Sequence, residues 1–101
     1  MTARVAHPPH PDFAAQAVAL DDEHESINAA LAKVARSSEL HGRDLDAIMQ
    51  RMEEHRAATE ELRRRYYPRA HRLVIVDGRA ITASRTGRSV RTVWSRTPDH
   101  A

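Results

Sequence analysis

The sequence predicts a mainly α protein with a small β part: a long coiled-coil helix or αα-hairpin, then a C-terminal three-stranded antiparallel β-meander, the whole elongated and oligomeric. Three observations predict it. Residues 12–67 contain no proline and a single glycine, Gly42, in a stretch rich in Ala, Glu, Arg and Leu, which is helix composition. Apolar side chains recur through that stretch with an unbroken 4-3 step. After Pro68 the pattern changes to β-branched runs separated by Asp77-Gly78, the dipeptide that favours a tight hairpin because both central residues of a type I′ turn need positive φ.

The elements follow in order. Residues 1–11 hold three of the five prolines and two histidines, and read as an extended arm. His7 and His10 have ligand-like spacing but no third ligand, so they read as a solvated tail. The helical region covers 12–67, closed by Pro68, with Arg63, Arg64 and Arg65 placed where cations favour the negative end of the helix dipole. The basic meander covers 68–97: Leu73–Val76 and Ala80–Ala83 flank the Asp-Gly turn, Thr86-Gly87 marks a second turn, and Ser89–Trp94 forms the third strand. On strict alternation Arg91, Val93 and Ser95 share one face of that strand and Val90, Thr92 and Trp94 the other. Residues 98–101 are a short tail.

The 4-3 step passes through Phe13, Ala17, Leu20, His24, Ile27, Leu31, Val34, Ser38, His41, Leu45, Ile48, Met52, His55, Thr59, Leu62 and Tyr66. A strict seven-residue repeat imposes a left-handed supercoil, and a continuous helix over residues 13–66 would be about 80 Å long. A single rod of that length leaves its stripe bare, so the stripe predicts an oligomer. A hairpin broken within 37–43 is the alternative. That segment combines poor helix formers with Gly42, and folding back would let Asp21, Asp22, Glu23 and Glu25 face Arg51 and Arg56. The shared heptad phase on both sides of the break favours the continuous helix. Mixed a and d residues, among them aromatics and histidines, favour a trimer.

Length, charge and cysteine count limit the function. One hundred and one residues, 41% hydrophobic and 4% aromatic, fit one domain and exclude a two-lobed enzyme. There is no cysteine, which excludes disulfides, thiolate zinc sites and cysteine nucleophiles. No apolar run reaches the length of a membrane span and no signal-peptide pattern opens the chain, so a soluble protein, cytoplasmic or virion-associated, is expected. Residues 1–62 hold six basic against twelve acidic groups and residues 63–101 ten arginines against two acids, a split of −6 and +8 within a net charge of +2. Such asymmetry points to an anionic partner or to a second copy met end to end.

The predicted oligomer seam is Phe13, Leu20, His24, Ile27, Leu31, Val34, Leu45, Ile48, Met52, His55, Leu62 and Tyr66. His24, His41 and His55 on that seam read as polar residues that fix register rather than as a metal site, and protonation near pH 6 would loosen the assembly. The carboxylate groups at Asp21–Glu23 with Glu25, Glu53-Glu54 and Glu60-Glu61 read as solvated helix faces. No nucleophile elbow, phosphate loop or dinucleotide motif is present, so neither an enzyme nor a cofactor is expected. Arg79, Arg85, Arg88, Arg91 and Trp94 are the candidate contact residues, with other structural proteins through the arm and basic cap, or with phosphates of a nucleic acid if Trp94 stacks a base.

The organisation resembles that of small structural proteins of bacteriophage particles, of fibre, neck or connector type. That resemblance implies a non-enzymatic homo-oligomeric assembly role. The alternative is a nucleic-acid-binding or regulatory protein dimerised by its helices.

Overall fold

The computed structural model describes residues 10–37 and 42–96. Helix α1 spans Pro11–Arg36 and helix α2 spans Gly42–Tyr66. They are followed by strands β1 (Arg72–Val76), β2 (Arg79–Ala83) and β3 (Val90–Ser95), which form one antiparallel sheet in the order β1-β2-β3. No helix is long and apolar enough to cross a membrane.

Each boundary has a local cause. The ring Nδ1 of His10 accepts a hydrogen bond from the Asp12 backbone N–H at 3.1 Å, and Pro11 follows in the first turn, where its missing N–H costs nothing. His10 is therefore a helix cap, which corrects its reading as part of a solvated arm. Its ring also packs at a tilt against Tyr66, with centroids 5.8 Å apart. At the other end Ser37 turns to extended backbone and its N–H returns to the Val34 carbonyl. Asp77 and Gly78 both adopt positive φ, +53° and +74°, as the predicted tight turn requires.

Two helices replace the single continuous one that the heptad phase favoured. The chain folds back between Ser37 and Gly42, inside the expected break, and α1 and α2 pack antiparallel. Arg51 Nε and Nη2 donate to Glu23 at 3.1 Å each, Nη2 reaches Ser26 Oγ at 2.8 Å, and His55 Nε2 donates to the Leu20 carbonyl at 2.9 Å. Arg56 bonds Glu53 on its own helix instead of an acid on α1. Shared phase does not discriminate between the two forms, because a hairpin also needs one apolar stripe per helix. Once the two stripes face each other, the chain covers them itself. Ile27, Ile48, Thr59 and Leu62 are buried, and Leu20, His24, Leu31, Val34, Leu45, His55 and Tyr66 are half-buried. Only Met52 among the described seam residues stays open, at 45% exposure. Seam positions Ser38 and His41 lie outside the described residues, as do 1–9 of the arm and 97–101 at the C-terminal end. The longest dimension is 51 Å, well short of the rod.

The sheet closes over the open end of the hairpin. Phe13 and Ala17 of α1, Leu62 of α2, Leu73 and Ile75 of β1, Ala80 of β2 and Val93 and Trp94 of β3 make the core. Phe13 is fully buried and meets Tyr66 and Tyr67 edge-on, with centroids 5.6 and 5.2 Å away. Register deviates at one point: Ala80 pairs with Trp94 but Ile81 pairs with Thr92, so Val93 is an extra residue in a β-bulge. Strict alternation fails there, and Val93 and Trp94 are both buried.

A charged clamp fixes the sheet on α1. Asp21 is 3% exposed and takes hydrogen bonds from Arg96 Nε and Nη2 at 3.2 and 2.9 Å and from the Gly78 backbone N–H at 3.0 Å. Arg96 also bonds Asp22 and the Val18 carbonyl, and its own N–H donates to the Gly78 carbonyl. Asp21 thus leaves the solvated acidic face assigned to it by sequence. Removing it strands the Gly78 N–H and most of the Arg96 pairing. We expect Asp21→Ala to cost about 3 kcal/mol in urea unfolding, and Arg96→Ala to add little once Asp21 is gone.

The Glu23–Arg51 pair gives a second test. The hydrogen bonds from Arg51 hold the Glu23 carboxyl below its ordinary range, and Arg56 and Arg63 do the same for Glu53 and Glu60. A carboxyl depressed in the folded state contributes stability that is fully present above its unfolded value, about 4.3, and is lost as pH falls through the folded value. Melting temperature should therefore drop below about pH 4.3. Glu23→Gln should melt lower at pH 7 and lose part of that acid slope. Exposure of both partners and added salt keep the effect small.

Candidate functional site

Pairing register sorts the sheet residues into rows, because directly opposed residues of an antiparallel sheet share a face. Leu73, Thr82 and Arg91 form one row on the helix-facing side, and Ile75, Ala80 and Trp94 the next. The outer side carries three rows: Arg72, Ala83 and Val90; Val74, Ile81 and Thr92; Val76, Arg79 and Ser95. No described element covers this outer side. Its centre is apolar; Arg72 stands at a corner on edge strand β1, and Arg79 at the end of the central strand β2.

Exposure picks out the same place. Four large apolar side chains are markedly exposed among the described residues: Val74 at 40%, Val90 at 63%, Met49 at 64% and Met52 at 45%. Val74 and Val90 lie on the outer sheet face, beside half-buried Ile81 and Val76. Met49 and Met52 are three residues apart on α2 and so share one helix face, with Asp46 one turn before Met49 and Glu53 one turn after it. The chain therefore presents two apolar patches, one edged by arginine and one by Asp46 together with the Glu53–Arg56 ion pair.

The predicted contact residues divide. Arg79, Arg85, Arg88 and Arg91 are all exposed, as are Arg69 and Arg72, and none of the six is in an ion pair among the described residues. They do not form one surface, since Arg79 sits on the outer face and Arg91 on the helix-facing side. Arg63 and Arg96, by contrast, serve the fold. Arg63 bonds Glu60 at 2.7 Å and reaches the Pro68 and Ala70 carbonyls that shape the turn between α2 and β1. Trp94 is 6% exposed in the core, so its indole has no face to offer a base. The bulge is the cause, because it rotates Trp94 onto the same side as Val93.

His24 and His55 face each other across the hairpin, with ring centroids 5.9 Å apart. Asn28 Nδ2 donates to His24 Nε2 at 3.1 Å. The two rings therefore meet within one chain. With Thr59, Glu60 and strand β1 they line an open groove beside the free edge of the sheet. No three His, Asp or Glu side chains converge on a common point among the described residues. A second hollow, at the junction of α2 with the sheet, is lined by Tyr66, Tyr67, Arg69 and Arg91, and burial pushes the Tyr67 phenol up.

Sequence reasoning missed the outer patch although its signal is present. Leu73–Val76 is apolar at four successive positions, and a strand with one wet face alternates instead. Met49 was passed over because it falls off the 4-3 stripe.

The assignment of Trp94 to the core has a direct consequence. Trp94→Ala should destabilise the chain by about 3–5 kcal/mol in chemical denaturation, whereas a base-stacking tryptophan on the surface would leave stability almost unchanged. No family model, curated protein or solved structure matches this chain.

Proposed function

We propose that the chain is a non-enzymatic assembly protein whose copies associate head to tail, the outer face of the meander docking on the Met49–Met52 face of the next copy. The observation that carries this reading is the pairing of the two exposed apolar patches. One is edged by Arg72 and Arg79 and the other by Asp46 and by Glu53, which Arg56 pairs within α2. An apolar centre with a charged rim is the anatomy of a protein interface, and opposite rims set partner and register. A contact between two different surfaces of one chain is heterologous, and repeats into rings or filaments. Homo-oligomerisation in this form does not use the heptad stripe, which the hairpin already occupies. A virion component of neck or connector type is a setting that such a building block suits, whereas a fibre requires the rod that the fold-back removes.

The nucleic-acid reading keeps six unpaired arginines in its favour and loses Trp94 as a stacking platform. Duplex binding that falls steeply with salt would favour it.

Association is tested by light scattering with the full chain. Mass should rise with concentration and fall with added salt, because the rims are solvent-exposed charges. Val90→Asp and Met49→Lys should each abolish self-association while leaving the fold intact, and mixing the two variants should restore a heterodimer, since each keeps one sound surface. A chain that stays monomeric at about 100 μM in low salt, where even a weak contact of about 8 kcal/mol would be populated, overturns the proposal.

A further inference from the structure

The hollow between the end of α2 and the sheet has a chemistry distinct from either patch. It has a volume of about 470 Å³, within the range of small-molecule sites. Two guanidinium groups, Arg69 and Arg91, line it, and no carboxylate does. Elsewhere the fold matches its inward-reaching arginines with acids: Arg51 with Glu23, Arg63 with Glu60, Arg96 with Asp21. Here the positive charge is left over, in a concave setting where the surrounding low-dielectric wall strengthens it. The remaining lining is a mixture of hydroxyls and apolar surface: Tyr67, Ser84 and Ser89 beside Val93 and Ala83.

The site is also held rigid. Arg69 sits in the turn between α2 and β1, which Arg63 pins through the Pro68 and Ala70 carbonyls. The Ala70 N–H closes the same turn on the Tyr67 carbonyl at 3.0 Å. Arg91 stands on β3, directly opposite buried Thr82. Ser84 and Ser89 close the turn on the other side: the Ser84 N–H donates to the Ser89 carbonyl at 2.9 Å, and the Ser89 N–H to Ser84 Oγ at 3.1 Å. Ser84 Oγ also lies 3.5 Å from Thr86 Oγ1, a contact in which either hydroxyl can donate. Tyr67 is fixed edge-on against Phe13. Groups placed in advance on turns and strands bind without a large ordering cost.

We infer that this hollow binds a small phosphate monoester, with the phosphoryl group between Arg69 and Arg91 and an apolar body on Val93 and the Tyr67 ring. Two uncompensated guanidinium groups match a dianion rather than a monoanionic carboxylate, and each can bond phosphate oxygens in bidentate fashion. The hydroxyls of Tyr67 and Ser89 add donors for the remaining oxygens. The apolar floor is what bare phosphate would leave unused. The inference does not rest on the assembly reading. Arg91 lies on the side of the sheet opposite the outer patch, and Arg69 lies outside the sheet.

Phenyl phosphate is the probe, titrated calorimetrically into the full chain at about 150 mM salt, where exposed charges are screened beyond about 8 Å. Saturable binding in the millimolar range or tighter is expected, with benzoate and inorganic phosphate each at least about tenfold weaker. Arg69→Ala and Arg91→Ala should each weaken phenyl phosphate about tenfold, and Arg91→Lys by less, because lysine keeps the charge and loses the fork. Both arginines are exposed, so unchanged melting temperatures should accompany those losses. Arg79→Ala, on the outer face, should leave binding unchanged while weakening self-association. No saturable binding up to about 10 mM overturns the inference, as does inorganic phosphate binding as well as the ester, or Arg79→Ala costing as much as Arg91→Ala, which would mark a diffuse charge effect.

Discussion

The placement of the sheet on the helices depends on one buried carboxylate. Asp21 receives the Gly78 backbone N–H and the Arg96 guanidinium, and so joins the middle of α1, the β1–β2 turn and the residue that follows β3. A buried ion pair of this kind adds little net stability over an apolar substitute, because desolvation offsets most of the attraction. Its effect is specificity. An apolar core made of Phe13, Leu62, Ile75 and Trp94 tolerates sliding of the sheet along α1, whereas Asp21 accepts its three hydrogen bonds in one position only. The outer face, with its rows of valine and arginine, is turned to solvent because the clamp holds the other face down.

Local signals were legible in the sequence wherever the cause is local. The Asp77-Gly78 turn follows from two residues that tolerate positive φ, and the strand limits from β-branched runs between turn residues. The helical composition and the exit at Tyr66, before Pro68, are equally local. The position of the break at Ser37–Gly42 was legible too, but whether the chain bends there is decided by long-range contact. Glu23 and Arg51 lie 28 residues apart and His55 and Leu20 lie 35 apart, and no periodicity encodes such a meeting. Heptad phase misled because it reports that a stripe will be covered, not what covers it.

The non-local parts of the candidate sites were hidden for the same reason. Asp21 reads as one acid in a run of three, and its partner Arg96 is 75 residues away. Trp94 reads as outward-facing until a bulge opposite Ala80 and Ile81 adds one residue to β3 and reverses the alternation. The arginines were recognised as a group, yet their division between two sides follows only from register. Arg79 sits in a row with Val76 and Ser95, and Arg91 in a row with Leu73 and Thr82. Tyr66 lies on the predicted seam and meets His10 and Phe13 at the start of α1, and it also walls a hollow because α2 ends against the sheet.

Period-two alternation lets three strands do two separate things with one kind of side chain. On the outer side, arginine at the corner of an apolar patch meets solvent on a flat surface. Screening by salt is strong there, and a guanidinium contributes mainly by selecting an oppositely charged rim. At the margin of the inner side, Arg91, itself exposed, lines a hollow with Tyr67 and Val93, where on the inference above its charge would act on a single bound group. On the two proposals above, a substitution at Arg79 and one at Arg91 would therefore address different partners, although both remove an exposed arginine from the same small sheet. What separates them is the direction in which each Cβ leaves the pleat, and that direction is set by a register that the Asp-Gly turn fixes at one end of β2 and the bulge shifts at its boundary with β3.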